Sequence, residues 1–258
     1  MNVNRVKQRY LQMSNRSRES IINIVLSFGS KGITIITQLM IVPLTINYVN
    51  ATQYGIWLTL SSIIAWIAFF DFGFGNGMRN KVAEANAKGD IELARQYVST
   101  TYFSIGAIVL CLLVFLQVLN LFISWPSILN VDISYTEELR KVFSILLLFF
   151  CLDMVVKLFN SLLTANQKPG IASCIGVIGQ ILSLLVIFLL TKVSDGSLVR
   201  LATYYSGIPT IVVLIVSAYA FSFTSYKRYA PHIKFVRKGL IKDIMSIGWR
   251  ILSKLTPS

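Results

Sequence analysis

Six apolar runs, each near the length that crosses a bilayer, occupy most of this chain, and the basic residues between them fall on alternate connections. A hydrocarbon core about 30 Å thick takes about 20 helical residues. Six segments meet that length: Ile21–Tyr48, Tyr54–Gly73, Val98–Ile123, Val142–Thr164, Ile171–Thr191 and Leu201–Phe223. Lipid offers backbone amides no partners, and the chain lacks the alternating ten-residue strands of a barrel, so the runs are predicted to be helices. The expected fold is all-α, a polytopic membrane bundle of six transmembrane helices.

The basic residues set its orientation. The segments 1–20, 74–97, 166–170 and 224–245 carry five, four, one and six lysines and arginines, sixteen in all. The intervening connections 48–53, 125–141 and 192–200 carry none, two and two. Sixteen against four places both ends of the bundle in the cytoplasm, with residues 1–20 as a basic N-terminus, 21–225 as the bundle and 226–258 as a basic cytoplasmic linker. The net charge of +13 is therefore read as loops beside anionic headgroups rather than a nucleic-acid surface. Charged residues are only 14% of the chain, against about 25% in an ordinary soluble domain. The first run is too long for the h-region of a signal peptide and is read as a retained span.

Chemistry that needs clustered ligands is absent from the pattern. Cys111, Cys151 and Cys174 lie within apolar runs and show no CxxC spacing, so they read as small buried hydrophobes. His232 is the only histidine, which excludes a histidine-based metal site or triad. No cofactor or metal is implied, and the outer connections are too short for a catalytic domain.

The informative residues are the charges inside the runs. Asp153 and Lys157 share the fourth run. Each costs about 2.5–3.5 kcal/mol at a helix centre, while the fifteen Leu, Ile, Val and Phe residues of that run return about 0.3–0.6 kcal/mol each. The totals are comparable, so a pair facing lipid would leave this helix barely insertable. The i, i+4 spacing puts both on one face. That face is expected to look into the bundle or a wet cavity, either as a structural ion pair or as a site for an anionic or polyhydroxyl substrate or a coupling ion. Lys31 in the first run either snorkels to the inner interface or faces the same cavity. Asp71, in DFGFGNG (71–77), either caps locally or helps close a cytoplasmic gate with Arg79. Pro43 and Pro209 interrupt spans one and six, as packing bends or as hinges. Gly176, Gly179 and Ser183 form a small-residue face on span five, with Gln180 beside them turned to the interior. Tyr54, Trp57 and Trp125 are expected in an interfacial belt.

The run YGIWLTLSSIIAWIAFFDFGFGNGMRNKVAEANAKGD (54–90), together with MIVPLTINYVNATQYG (40–55) and LLTANQKPGIAS (162–173), resembles the Wzx-type O-antigen flippases, the polysaccharide transporters of the multidrug/oligosaccharidyl-lipid/polysaccharide flippase superfamily. The resemblance covers nearly the whole chain, and segment 71–79 is its most specific part. It implies a fold of two six-helix bundles flanking a cationic cavity. It also implies a substrate, an oligosaccharide on undecaprenyl pyrophosphate, moved across the bacterial inner membrane, with membrane lipids, the O-antigen polymerase and chain-length machinery as partners. Carried onto this sequence, Lys31 and Lys157 would face the pyrophosphate and Arg79 would stand at the cytoplasmic mouth. With six spans instead of about twelve, and with SIGWRILSKLTPS (246–258) failing to continue as a seventh, the chain is expected to be an N-terminal half. Two other readings are a cation antiporter of the same superfamily, with Asp153 as its cation site, and a membrane enzyme of polysaccharide synthesis.

Overall fold

The computed structural model describes residues 15–68 and 73–245, and every regular element among them is helical. Nine α-helices follow in order: α1 (Asn15–Val49), α2 (Ala51–Ala68), α3 (Phe74–Ala87), α4 (Ile91–Phe122), α5 (Trp125–Leu129), α6 (Thr136–Val156), α7 (Leu158–Ala165), α8 (Pro169–Val193) and α9 (Leu198–Phe223). Short 3₁₀ turns at Ser225–Tyr229 and Ile233–Phe235 carry the chain onward. Among the described residues, five segments are long and apolar enough to cross a membrane: Arg18–Val49, Ile91–Phe122, Ile133–Ala165, Pro169–Val193 and Leu198–Phe223. The chain is thus an all-α, multi-pass membrane bundle. The expected second span is represented by α2, whose 18 residues begin Ala51, Thr52, Gln53, Tyr54, and it is not among these five. The anticipated start of a seventh span falls mostly in residues 246–258, outside the described residues.

Several helices outrun the apolar runs that announced them. At 1.5 Å per residue, the 32 residues of α4 extend about 48 Å, well beyond the hydrocarbon thickness. Its start lies at Ile91, not Val98, because Asp90 caps it: the Asp90 carboxylate accepts the Leu93 amide at 2.9 Å. Just inside the apolar run, α4 carries Ser99, Thr100 and Thr101, all buried. The fourth span is not one helix. It breaks at Lys157 into α6 and α7, with the Lys157 amide still bonded to the Asp153 carbonyl and the Asn160 amide turned back onto the Lys157 carbonyl.

Before α3, Gly73 sits at φ 68°, the left-handed conformation that glycine adopts without strain. The chain thereby changes direction, and α3 buries Phe74, Met78, Val82 and Ala85 along one stripe against α4 and α7. A side chain on Gly77 would collide with the Ile244 carbonyl, so the chain after the bundle lies directly on α3.

The longest packing seam joins α1 to α8. It is fastened at both ends. At one end Asn23 donates to the Gln167 carbonyl at 3.0 Å and accepts the Gly170 amide at 3.1 Å. At the other the Tyr48 hydroxyl bonds to Ser194 at 3.2 Å, and Gly196 packs so closely on the Tyr48 carbonyl that only hydrogen fits. The rest of α1, including Val25, Phe28, Ile36 and Leu39, is exposed and apolar, as a lipid-facing surface would be.

The interfacial belt expected of Trp57 and Trp125 is not what the fold builds. Both are buried. Trp125 donates to Asn120 at 2.6 Å and stacks on Phe143 at 4.5 Å. Each indole has turned inward because a polar or aromatic partner is waiting there. The cysteine expectation also needs adjusting: Cys151 is buried and Cys174 half-buried, but Cys111 is exposed on α4.

Candidate functional site

A cavity of about 730 Å³ opens among α2, α4, α6, α7 and α9. The i, i+4 spacing on the last turn of α6 brings Asp153 and Lys157 into it, and they form an ion pair at 2.5 Å. Asp153 is 22% exposed and Lys157 is 61% exposed, so the carboxylate is sheltered while the ammonium reaches into open space. The pair sits where α6 passes into α7, at a residue that keeps right-handed helical dihedrals.

Hydroxyls and aromatic rings complete the wall. Ser61, Ser62, Ser161, Ser206 and Thr210 face the cavity, beside Trp57 and Tyr205. The two rings meet edge to face with centroids 4.7 Å apart. Trp57 Nε1 and Ser61 Oγ are buried without a hydrogen-bond partner among the described residues. A buried donor left unpaired costs about 1–3 kcal/mol, so both groups favour a guest that accepts hydrogen bonds. Gly75 lines the same space, where a Cβ would press on Ser161 Oγ at 3.1 Å. The chemistry on offer is one cation, one anion, several hydroxyls and flat apolar faces, a set suited to a polar, hydroxyl-rich or anionic guest.

Not every residue singled out from the sequence arrives here. Asp153, Lys157 and Pro209 line the cavity. Lys31 lies exposed on α1 and does not. Arg79 is half-buried on α3, one turn beyond Gly75 and on the same face, which sets it at the edge of the space rather than in its wall. Gln180 is half-buried on α8 with its Oε1 buried and unpartnered among the described residues, outside the cavity lining. Asp71 lies outside the described residues. Pro43 falls within an α1 that runs on as one helix, and Pro209 within an unbroken α9. The small-residue face of α8 is real only in part. Gly179 abuts Pro209, whose Cα stands 2.8 Å from where a Cβ would sit, and Ser183 is buried, but Gly176 meets open space. The cavity's own lining is charge-balanced, one lysine against one aspartate, where the resemblance implied a cationic interior.

Sequence reasoning missed the hydroxyl wall and a second polar assembly. Ser61, Ser62, Ser206 and Thr210 interrupt apolar runs, and that interruption was the available signal. The second assembly lies at the basic end of the bundle. Tyr229, 1% exposed, donates to Asn86 at 2.9 Å and lies 3.2 Å from Asn166, while the Asn86 amide reaches Asn166 at 3.3 Å. Nearby, the His232 and Arg237 amides donate to Ser99 and Thr100 at 3.1 and 3.0 Å, and Arg95 covers the Phe235 ring at 4.2 Å while bonding the Ala230 carbonyl. Residues 225–237 therefore form a clasp fixed to α3, α4 and the end of α7, in the stretch where the sequence suggested the start of a basic linker. Burial pushes the Tyr226 phenol above its ordinary value, and the Lys168 ammonium lies over its ring at 5.8 Å.

The chain is 20% identical over 171 residues to a Yersinia pseudotuberculosis protein named "Putative O-antigen export protein", an overlap of 66% of this chain and 38% of the relative. The chain thus matches well under half the length of that relative. No solved structure matches. Residues 20–256 match the family described as polysaccharide biosynthesis protein, and since this is nearly the entire sequence, the chain belongs to that family.

Proposed function

We propose that this chain is the membrane-embedded body, or half of it, of a flippase that moves lipid-linked oligosaccharide units from the cytoplasmic to the periplasmic leaflet of the bacterial inner membrane. The observation that carries this reading is the Asp153–Lys157 pair set among hydroxyls and aromatic rings in a cavity inside an otherwise apolar bundle. The exposed Lys157 ammonium can meet a phosphate, and the serine, threonine and aromatic wall suits sugar hydroxyls and ring faces. The family match and the export relative support a polysaccharide substrate. Undecaprenyl pyrophosphate is the carrier the reading assigns. Sixteen basic residues on one set of connections support an orientation with both ends of the bundle toward the cytoplasm. Transport would proceed by alternating access, with the head group in the cavity and the lipid chain left in the bilayer. Arg79, Lys31, Asp71 and Gln180 remain proposed contributors along the path, and Pro43 and Pro209 proposed hinges.

A cation antiporter fits the site less well. Asp153 already holds an internal ammonium, and a cationic substrate would have to displace Lys157. The reading is of a carrier and not an enzyme.

The test is binding by the purified chain in nanodiscs. Undecaprenyl pyrophosphate carrying an oligosaccharide should bind saturably, and Lys157→Ala should weaken it about tenfold or more, since a hydrogen bond to a charged group is worth about 1.5–3 kcal/mol. No saturable binding, or binding indifferent to Lys157→Ala, overturns the assignment.

A further inference from the structure

Ile105 and Met154 each line two spaces. On one side lies the polar cavity just described. On the other lies a trough of about 570 Å³ walled by apolar side chains alone, among them Ile67, Ile108, Leu112 and Phe115. It contains no charged or hydroxyl-bearing residue. Its floor follows one stripe of α4 from Ile105 through Leu112 to Leu116, twelve residues that extend about 16 Å away from the basic end. Bilayer chains cover apolar helix faces everywhere, so exposure alone would mark nothing. This trough differs because its wall is also the wall of the chamber that holds the ion pair.

A polar chamber and an apolar trough sharing one partition match the two halves of a single amphiphile. We propose that the trough seats the polyisoprenoid chain of the lipid-linked saccharide whose head group occupies the cavity. This rests on the carrier reading above. The chain would leave the chamber past Ile105 and Met154 and lie along α4, between α2 and α6. Head and tail are then bound by one continuous surface, and a long flexible chain is held in register with its pyrophosphate instead of drifting among phospholipids. Ordering the chain beside the chamber also raises the local concentration of the head group at Lys157.

The experiment uses the full chain in nanodiscs of phosphatidylethanolamine and phosphatidylglycerol, with p-benzoylphenylalanine replacing Leu112 in the trough or, as control, Leu121, which is exposed on the same helix outside it. Radiolabelled undecaprenyl pyrophosphate is added, and binding and photo-adducts are measured in the same sample. The expected result is an adduct at position 112 at least fivefold above that at 121, lost when Lys157→Glu is introduced. Independently, Leu112→Trp should weaken binding at least fivefold and Leu121→Trp should not. Binding with equal labelling at both positions, or adducts to phospholipid alone, overturns the tail site and leaves the carrier reading standing. No binding at all overturns both.

Discussion

Replacing Tyr229 with Phe removes one hydroxyl and keeps a ring that is 1% exposed, so it isolates the hydrogen bond that closes the clasp. Asn166 Oδ1 still receives the Asn86 amide at 3.3 Å, but Asn86 Oδ1 loses the Tyr229 hydroxyl that donates to it at 2.9 Å. A part-buried acceptor stripped of its partner costs about 1–3 kcal/mol. The loss falls on a local structure, because residues 225–237 are otherwise held by the Ser99 and Thr100 hydroxyls and the Arg95 contacts. Amide hydrogen exchange in detergent micelles reads it directly. A change of one or two kcal/mol in opening free energy should speed exchange of residues 225–237 by about 5–30-fold, with α6, α8 and α9 unchanged. Asn86→Ala removes the bond to Asn166 as well, so it should accelerate exchange at least as much, and the double variant should add little to Asn86→Ala, since the Tyr229–Asn86 bond is common to both. Unchanged exchange in the clasp would refute the assignment of that network as its fastening. So would uniform acceleration across the bundle, which would make Tyr229 part of the global core.

Two further outcomes follow from the packing. Asp153→Lys or Lys157→Asp puts like charges one turn apart in the fourth span, and each should lower stability in detergent by about 1–2 kcal/mol, less than for a fully buried pair because Lys157 is 61% exposed; the double exchange should recover most of the loss. Failure of the double exchange to recover would mean that the two side chains are not a pair in the bilayer. Gly179→Leu should cost about 1–3 kcal/mol by driving a side chain into Pro209, while Gly176→Leu, facing open space, should leave the melting temperature within error.

The bundle was legible because a bilayer imposes a length on any apolar run that crosses it. Lys157 and Asp153 were legible for the same reason, as charges that an apolar run does not tolerate unless they are turned inward and paired. Helix ends were not. Asp90 starts α4 seven residues before the apolar run begins, and hydropathy is blind to a cap. Nor was the clasp. Asn86, Asn166 and Tyr229 sit in polar stretches, separated by 80 and 63 residues, where an asparagine carries no signal of burial. Trp57 and Trp125 were misplaced because an indole's amphipathic character fits an interface and a buried hydrogen bond equally well, and only the partner, Asn120 for one and the Tyr205 ring for the other, decides between them. The shared partition between cavity and trough was unreadable, since Ile105 and Met154 are unremarkable in an apolar run.

The lashing of α1 to α8 constrains any motion the protein makes. A rod tied to its neighbour near both tips, by Asn23 and by Tyr48, cannot swing by itself. Any bend at Pro43 must carry Pro169–Val193 along, and with it the Gly179–Pro209 contact into α9. The moving part would then be a three-helix slab, and the slack would have to come from the joints that flank it, at Val49–Ala51 and at Asn166–Lys168.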